Sequence, residues 1–411
     1  MIISSRRTAI AVFLAFACAY FLSALIRAVT ATLSPQLTEE FSMHARDLGL
    51  LAGGYFLGFS ATQLPLGTWL DRYGPKRVLL YFLAVAVLGC LAFAMASSFA
   101  ALLAARVLCG VGLSACLMAP LTGYRRWFAP AIQTRSNAWM LMIGSTGMVA
   151  STLPVQWLLP TVGWRPMFLA LGVLMVLSML LIAWRVPQWE PRAAHPADTV
   201  PVHGYRVVWG DPYFRRLAPL GFFCYGGLLS MQTLWAAPWM EKIAGFSPLQ
   251  SATGLFWINI AMLCTFWAWG MVGPTLARRG LDADILITWG LPLSFVVMAL
   301  VIATPAGMGP AAGAMLALYC VCSSFVTPSQ PALGMAFAPE LAGRALTAFN
   351  LVIFLGVFVI QWSIGLMIDA LMALGWSEPG AYRLAFTVFL CCGMASYLHF
   401  LRGPRHNQAT P

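Results

Sequence analysis

Arg27 is the residue whose placement says most about chemistry. Tyr20, Ser23, Arg27, Thr30 and Ser34 follow spacings of 3, 4, 3 and 4 in an apolar run, which puts all five on one helical face. An arginine at the middle of a membrane helix costs about 2.5 to 3.5 kcal/mol even on permissive insertion scales, so this stripe is expected to line a wet cavity. A planar guanidinium donates two parallel hydrogen bonds to a carboxylate, which makes Arg27 a candidate anion ligand with Tyr20 beside it. The competing reading is structural: an arginine paired to carbonyls at helix ends.

The acids sharpen the reading by their absence. None of the 13 falls at the middle of an apolar run, and Asp369, at the end of one, is the nearest. A cavity holding one or two arginines and no carboxylate has a positive potential that favours anions. The second arginine is Arg106, about five residues into its span, where snorkelling to the surface, coupling and substrate contact are all open roles. Tyr55, Gln232, Trp235, Asn259, Tyr319 and Asn350 complete the candidate substrate site, with Tyr225, Gln330 and Gln361 near them in the pattern. For each of these the competing role is packing, since buried amides commonly join helices.

These side chains need elements to hold them. Of 411 residues 60% are hydrophobic and 9% charged, and the mean hydropathy is +0.80, so most of the chain cannot face water. The sequence is that of an all-α integral membrane protein. Apolar runs of about 20 residues cross a bilayer, and twelve are expected: 8–31, 49–69, 77–98, 101–123, 136–159, 164–184, 217–239, 250–273, 284–305, 309–335, 346–370 and 382–401. With both termini inside, 18 of the 24 Lys and Arg fall in cytoplasmic segments, as the positive-inside rule requires. The net charge of +11 is then an insertion signal and an attraction to anionic membrane lipid, with no nucleic acid needed. Arg6-Arg7 and the run after it are read as a retained first helix. Only Lys76 and Lys242 are lysines, a bias that fits a high-GC bacterial genome and an inner-membrane location.

The chain repeats itself. Gly67-Thr-Trp-Leu-Asp71-Arg72-Tyr-Gly74-Pro-Lys76-Arg77 is echoed 206 residues on from Gly273 to Gly280, and Phe128-Ala129-Pro130, Arg135 and Gly147 recur 209 residues on. Between the copies, 186–216 is polar and proline-bearing and reads as a cytoplasmic linker. Residues 1–185 and 217–411 are then two pseudo-symmetric six-helix bundles. Such parallel repeats place a substrate site at their interface near the midplane. No HExxH, paired CxxC, Walker loop or serine nucleophile elbow occurs, and all ten cysteines sit in apolar runs as small core residues. No enzyme, metal or cofactor is expected.

Gly67-x3-Asp71-Arg72-x-Gly74-x-Lys76-Arg77 resembles the loop 2-3 motif of the major facilitator superfamily, and Arg106-x3-Gly110-x-Gly112 resembles its fourth-helix motif. The resemblance implies the twelve-helix major facilitator fold and secondary transport by alternating access. It also implies a role for Arg27, because members carrying organic anions or organophosphates engage them through a first-helix arginine. The usual tyrosine-plus-arginine spacing is not kept here. On physical grounds Gly67 and Gly74 allow close helix approach. Asp71 is a candidate latch onto the N-terminal end of span eleven, where a carboxylate is favoured; a solvated pair with Arg72 is the alternative. The expectation is a monomeric transporter of a small organic anion, with a proton as candidate coupling ion. The alternative is export of an apolar drug or a secreted metabolite such as a siderophore, motivated by the aromatic content.

Overall fold

The computed structural model describes residues 6–128, 130–188, 203–305 and 309–403. Every regular element among them is helical. The chain runs through α1 (Arg6–Phe41), α2 (Ala45–Ala61), α3 (Gln63–Ala94), α4 (Phe99–Leu113), α5 (Ala115–Trp127), α6 (Pro130–Ala150), α7 (Leu153–Val162) and α8 (Trp164–Arg185). After the undescribed segment come α9 (His203–Gly210), α10 (Pro212–Leu220), α11 (Gly226–Ser230), α12 (Ala236–Lys242), α13 (Pro248–Arg278) and α14 (Ala283–Ala303). α15 (Pro310–Ser323), α16 (Ser329–Ala336), α17 (Pro339–Ala373) and α18 (Glu378–Arg402) complete it.

Ten helical stretches are long and apolar enough to cross a membrane, or eleven if 135–150 and 153–162, bent by 43°, form one span. The protein is therefore a multi-pass membrane protein. The count differs from twelve at the second expected span, 49–69. α2 has 17 residues and is interrupted at Thr62, while Gln63–Ala94 is two helices that meet at a sharp break beside the expected loop at Asp71. Gly74 makes that kink: its φ of 79° and ψ of 160° are non-helical and rarely adopted by residues with a Cβ. Residues 189–202 lie outside the described residues, but 203–216 is largely helix. α9 is tied to the core by Tyr205, whose hydroxyl donates to the Leu64 carbonyl (3.1 Å) and lies 3.1 Å from Thr347 Oγ1.

Inside, the packing is that of a dry core. Phe93 stacks on Phe168 at 4.1 Å and Trp239 on Phe386 at 4.5 Å. Outside, Tyr81, Trp184 and Trp289 are exposed, as suits a surface that meets lipid. Two arginines close helix ends in parallel fashion. Arg165 Nη2 donates to the Ala96 carbonyl (3.1 Å), and Arg383 Nη2 donates to that of Thr304 (2.7 Å), satisfying carbonyls just past the ends of α3 and α14. Glu40 clasps Arg165 (2.6 Å) and accepts from Trp164 Nε1 (2.8 Å), joining the end of α1 to the start of α8. Arg216 pairs with Asp284 and donates to the Phe400 carbonyl (2.7 Å).

Candidate functional site

The polar stripe of α1 is buried in protein and does not face lipid. Tyr20, Ser23, Thr30 and Ser34 are buried, and Arg27 is half-buried. Two of the stripe's hydroxyls spend their bonds on backbone: Ser34 on Ala31 (2.8 Å) and Ser23 on Leu113 (3.4 Å). Arg27 is not spent in this way. Its Nη2 meets the Met148 sulfur at 3.7 Å, and its Nε is buried without a partner. Tyr20 interacts with the guanidinium from the same helix, while Tyr55 of α2 and Tyr225 lie within its electrostatic reach. Tyr225 arrives from the second part of the chain, at the end of a π-helical turn, Gly221–Tyr225. π-turns of this kind often mark functional positions.

Arg106 does not snorkel. It is fully buried, its Nη1 donates to the Ile26 carbonyl (2.9 Å) and its Nη2 to that of Arg27 (3.5 Å). Its guanidinium also lies over the Tyr55 ring at 5.2 Å. The fourth-helix pattern thereby acquires a physical account. A Cβ at Gly110 would overlap the Tyr55 carbonyl and one at Gly112 the Ala86 backbone, so these glycines let α4 wedge between α2 and α3 and bring Arg106 to α1. Arg106 is therefore spent on the α1 backbone at Ile26 and Arg27, while the Arg27 side chain leaves α1 towards Met148 of α6. Neither has an acidic partner among the described residues.

The other candidates fall elsewhere. Gln232 Nε2 donates to Asn259 Oδ1 (2.9 Å), and Gln330 Nε2 donates to Asn350 Oδ1 (2.6 Å), so each amide pair has satisfied itself in part. Trp235 is fully buried and donates to the Gln361 carbonyl (3.2 Å). Tyr319 lines a separate, small cavity with Cys224, Ser294 and Ser323. The structure thus brings Arg27, Tyr20 and Tyr55 together with Arg106. Two neighbours went unrecognised in the sequence, Met148 and Gly144. Both belong to α6, where a Cβ at Gly144 would strike the Tyr20 ring and one at Gly147 the Phe21 carbonyl. The recurrence of Gly147 in the second half was the available signal.

At the basic end of the molecule Asp71 is exposed, and Arg125 and Arg344 are the charges that act on it. No hydrogen bond or ion pair joins it to Arg72 among the described residues; Arg72 lies instead over the Tyr73 ring at 5.2 Å. Gly67 makes no close approach, its nearest prospective neighbour being Thr347 Cγ2 at 3.9 Å. Gly74 serves the kink. Lys76 is half-buried and Arg77 exposed. Every acidic residue described lies in a loop, at a helix end or beside that kink. No group of described residues could hold a metal ion.

Comparison with known proteins bears on the family and the fold. The chain is 23% identical over 270 residues to the chloroplastic ascorbate transporter of Arabidopsis thaliana, covering 60% of this chain and 48% of that protein. It is 29% identical over 165 residues to the gallate transporter of Pseudomonas putida, covering 39% and 36%. The matches thus span about half the length of these curated relatives, or less. In fold it is similar to a bacterial homolog of the human lysosomal transporter Spinster, solved inward-facing and unoccupied, with a TM-score of 0.78, 17% identity and 97% coverage of both chains. Residues 16–361 match the family profile, and on that match the chain belongs to the Major Facilitator Superfamily, a family of transporters and not of enzymes.

Proposed function

We propose that the protein is a secondary transporter that carries a small organic anion by alternating access. The observation that supports this best is Arg27, half-buried on α1 with an unpartnered Nε and no acidic partner among the described residues, while Arg106 bonds the backbone beside it. A cation held inside the protein without an anion leaves a site whose charge is balanced only when an anionic substrate arrives. The transporters named for ascorbate and gallate support the same substrate class, since both compounds are anions at neutral pH.

In this reading twelve spans form two six-helix bundles, 1–185 and 217–411, joined by the linker 186–216. The basic end is cytoplasmic, both termini are inside, and the membrane is a bacterial inner membrane. Arg27 holds the carboxylate and Tyr20 and Tyr55 stand beside it, while Tyr225 approaches from the second bundle. The protein works as a monomer. Gln232, Trp235, Asn259, Tyr319 and Asn350 serve chiefly to pack helices, and Asp71 with its flanking basic residues forms the cytoplasmic latch. With no acid at mid-depth, exchange or uniport is as compatible with the site as proton symport.

The test is binding and uptake in proteoliposomes with a panel of carboxylates, organophosphates and apolar drugs. Hydrogen bonds to charged groups are worth about 1.5 to 3 kcal/mol, so Arg27→Gln is expected to weaken binding of the best anion by roughly 10- to 150-fold. Arg27→Lys keeps the charge and loses the fork, and its loss should be smaller. A carrier of apolar compounds behaves differently, tolerating Gln because a buried charge only adds desolvation cost. If Arg27→Gln binds an anion as tightly as the wild type, Arg27 is structural and the substrate class is wrong.

A further inference from the structure

α2 with the start of α3, and α17, run side by side, and their separation changes along their length. Near Asp369 the backbones touch: a Cβ at Gly365 would overlap the Ala45 carbonyl, and one at Gly49 would overlap that of Gln361. A Cβ at Gly53 would reach the Phe358 ring at 3.0 Å, and one at Gly67, further towards the basic end, would find only Thr347 at 3.9 Å. The pair is a wedge, closed at one end and looser at the other.

A pair of bonds fastens the closed end. Asp369 Oδ1 accepts from the Ala45 backbone N–H (3.1 Å) and its Oδ2 from that of Arg46 (3.0 Å). These are the first two N–H groups of α2, which have no partner within their own helix. His44, which precedes them, is not a residue type that caps well. Asp47 in the first turn is committed to the His44 N–H (3.0 Å). Arg46 adds little through its side chain, which is exposed and 3.9 Å from Asp369. The carboxylate of one helix, 324 residues away in sequence, therefore caps the positive end of the other.

We infer that Asp369 is the outer latch of the transport cycle, holding the extracellular side shut through the N-terminus of α2. The inference rests on the alternating-access reading given above. If Asp71 acts on the start of α17 at the cytoplasmic end, the same two antiparallel helices carry one acid at each end, each aimed at the other helix's N-terminus. In this structure the Asp369 bonds are made and Asp71 has none among the described residues, so the outer latch is engaged while the inner one is not. Outward opening must break two charge-assisted bonds and hydrate the groups they leave. Asp369 thereby sets the population of the outward-open state.

Spin labels at Thr161→Cys near the end of α7 and Leu374→Cys just after α17, both exposed and one in each half of the chain, report the opening of the wedge by dipolar distance. Cys18, Cys264, Cys322, Cys391 and Cys392 are first replaced by serine. In the absence of substrate the parent should give mainly a short distance, and Asp369→Ala should raise the ratio of long to short by about 10- to 100-fold. Asp369→Asn retains one acceptor and should fall between them. Ala45→Pro removes a donor from the other partner at a helix position where proline is well tolerated, after a residue already extended. It should shift the ratio the same way and add little to Asp369→Ala. Unchanged distances in folded Asp369→Ala and Ala45→Pro would overturn the inference, as would loss of folding in all three variants on size-exclusion, which would make these bonds a folding staple. Because the distances are read without substrate, failure here leaves the anion site standing, and failure of the Arg27 series leaves the latch standing.

Discussion

At Arg27 the chemistry depends on neighbours that keep the guanidinium free. Ser23 and Ser34, on the same stripe, are bonded to backbone, whereas Arg27 has one sulfur contact and an unpartnered Nε. Tyr20 reaches it because α6 presents Gly144 where any larger residue would meet the phenol ring. Gly144→Ala is therefore expected to displace Tyr20 and weaken anion binding by about 3- to 10-fold, the range of one net hydrogen bond. Tyr20→Phe, which deletes only the hydroxyl, should do the same. Titration calorimetry with the best anion decides it, and an unchanged affinity in both variants removes Tyr20 from the site. The arginine stripe was legible in the sequence from its spacing alone. The commitment of Gln232 to Asn259, and of Gln330 to Asn350, was not, because amide partners on different helices leave no mark in a single sequence.

At the scale of elements, glycines decide how near the helices come, and they do not all act alike. A Cβ at Gly110 would collide with backbone on α2, which cannot swing aside as a side chain can. Gly67, given equal prominence by its motif, has its nearest neighbour at 3.9 Å. Gly110→Ala should destabilise the protein by about 1 to 3 kcal/mol, the usual cost of overpacking, and Gly67→Ala by far less. Thermal unfolding in detergent compares them directly; equal midpoints would mean that α4 can shift outward at no cost. Apolar length marks most spans in the sequence, but not the interruption at Thr62 that divides the second one. A motif rich in Gly, Pro and charge reads as a loop, and Gly74 breaks the helix there with a non-helical φ of 79°.

At the scale of the whole molecule, the duplicated motifs pointed to a paired architecture, and the matching arginine caps at Ala96 and Thr304 carry the same duplication into packing. What stayed hidden was the cross-chain role of Asp369, since its partners are backbone groups and any residue could supply them. The confinement of every described acid to loops, helix ends and the Gly74 kink has a consequence for energy supply. No described acid at mid-depth is placed to carry a neutralising proton, so if the proposed substrate is a monovalent anion that enters alone, it brings its full charge into a cell whose interior is negative. That entry is opposed by about 2.3 kcal/mol for each 100 mV, roughly a 50-fold accumulation ratio favouring the outside. One-for-one exchange of like-charged anions meets no such opposition. In vesicles whose voltage is set by a potassium gradient and valinomycin, exchange should be flat with voltage and net uptake should fall as the interior becomes more negative. Accumulation on the negative side would reveal a cation travelling with the substrate, and this voltage would then drive the protein that it otherwise restrains.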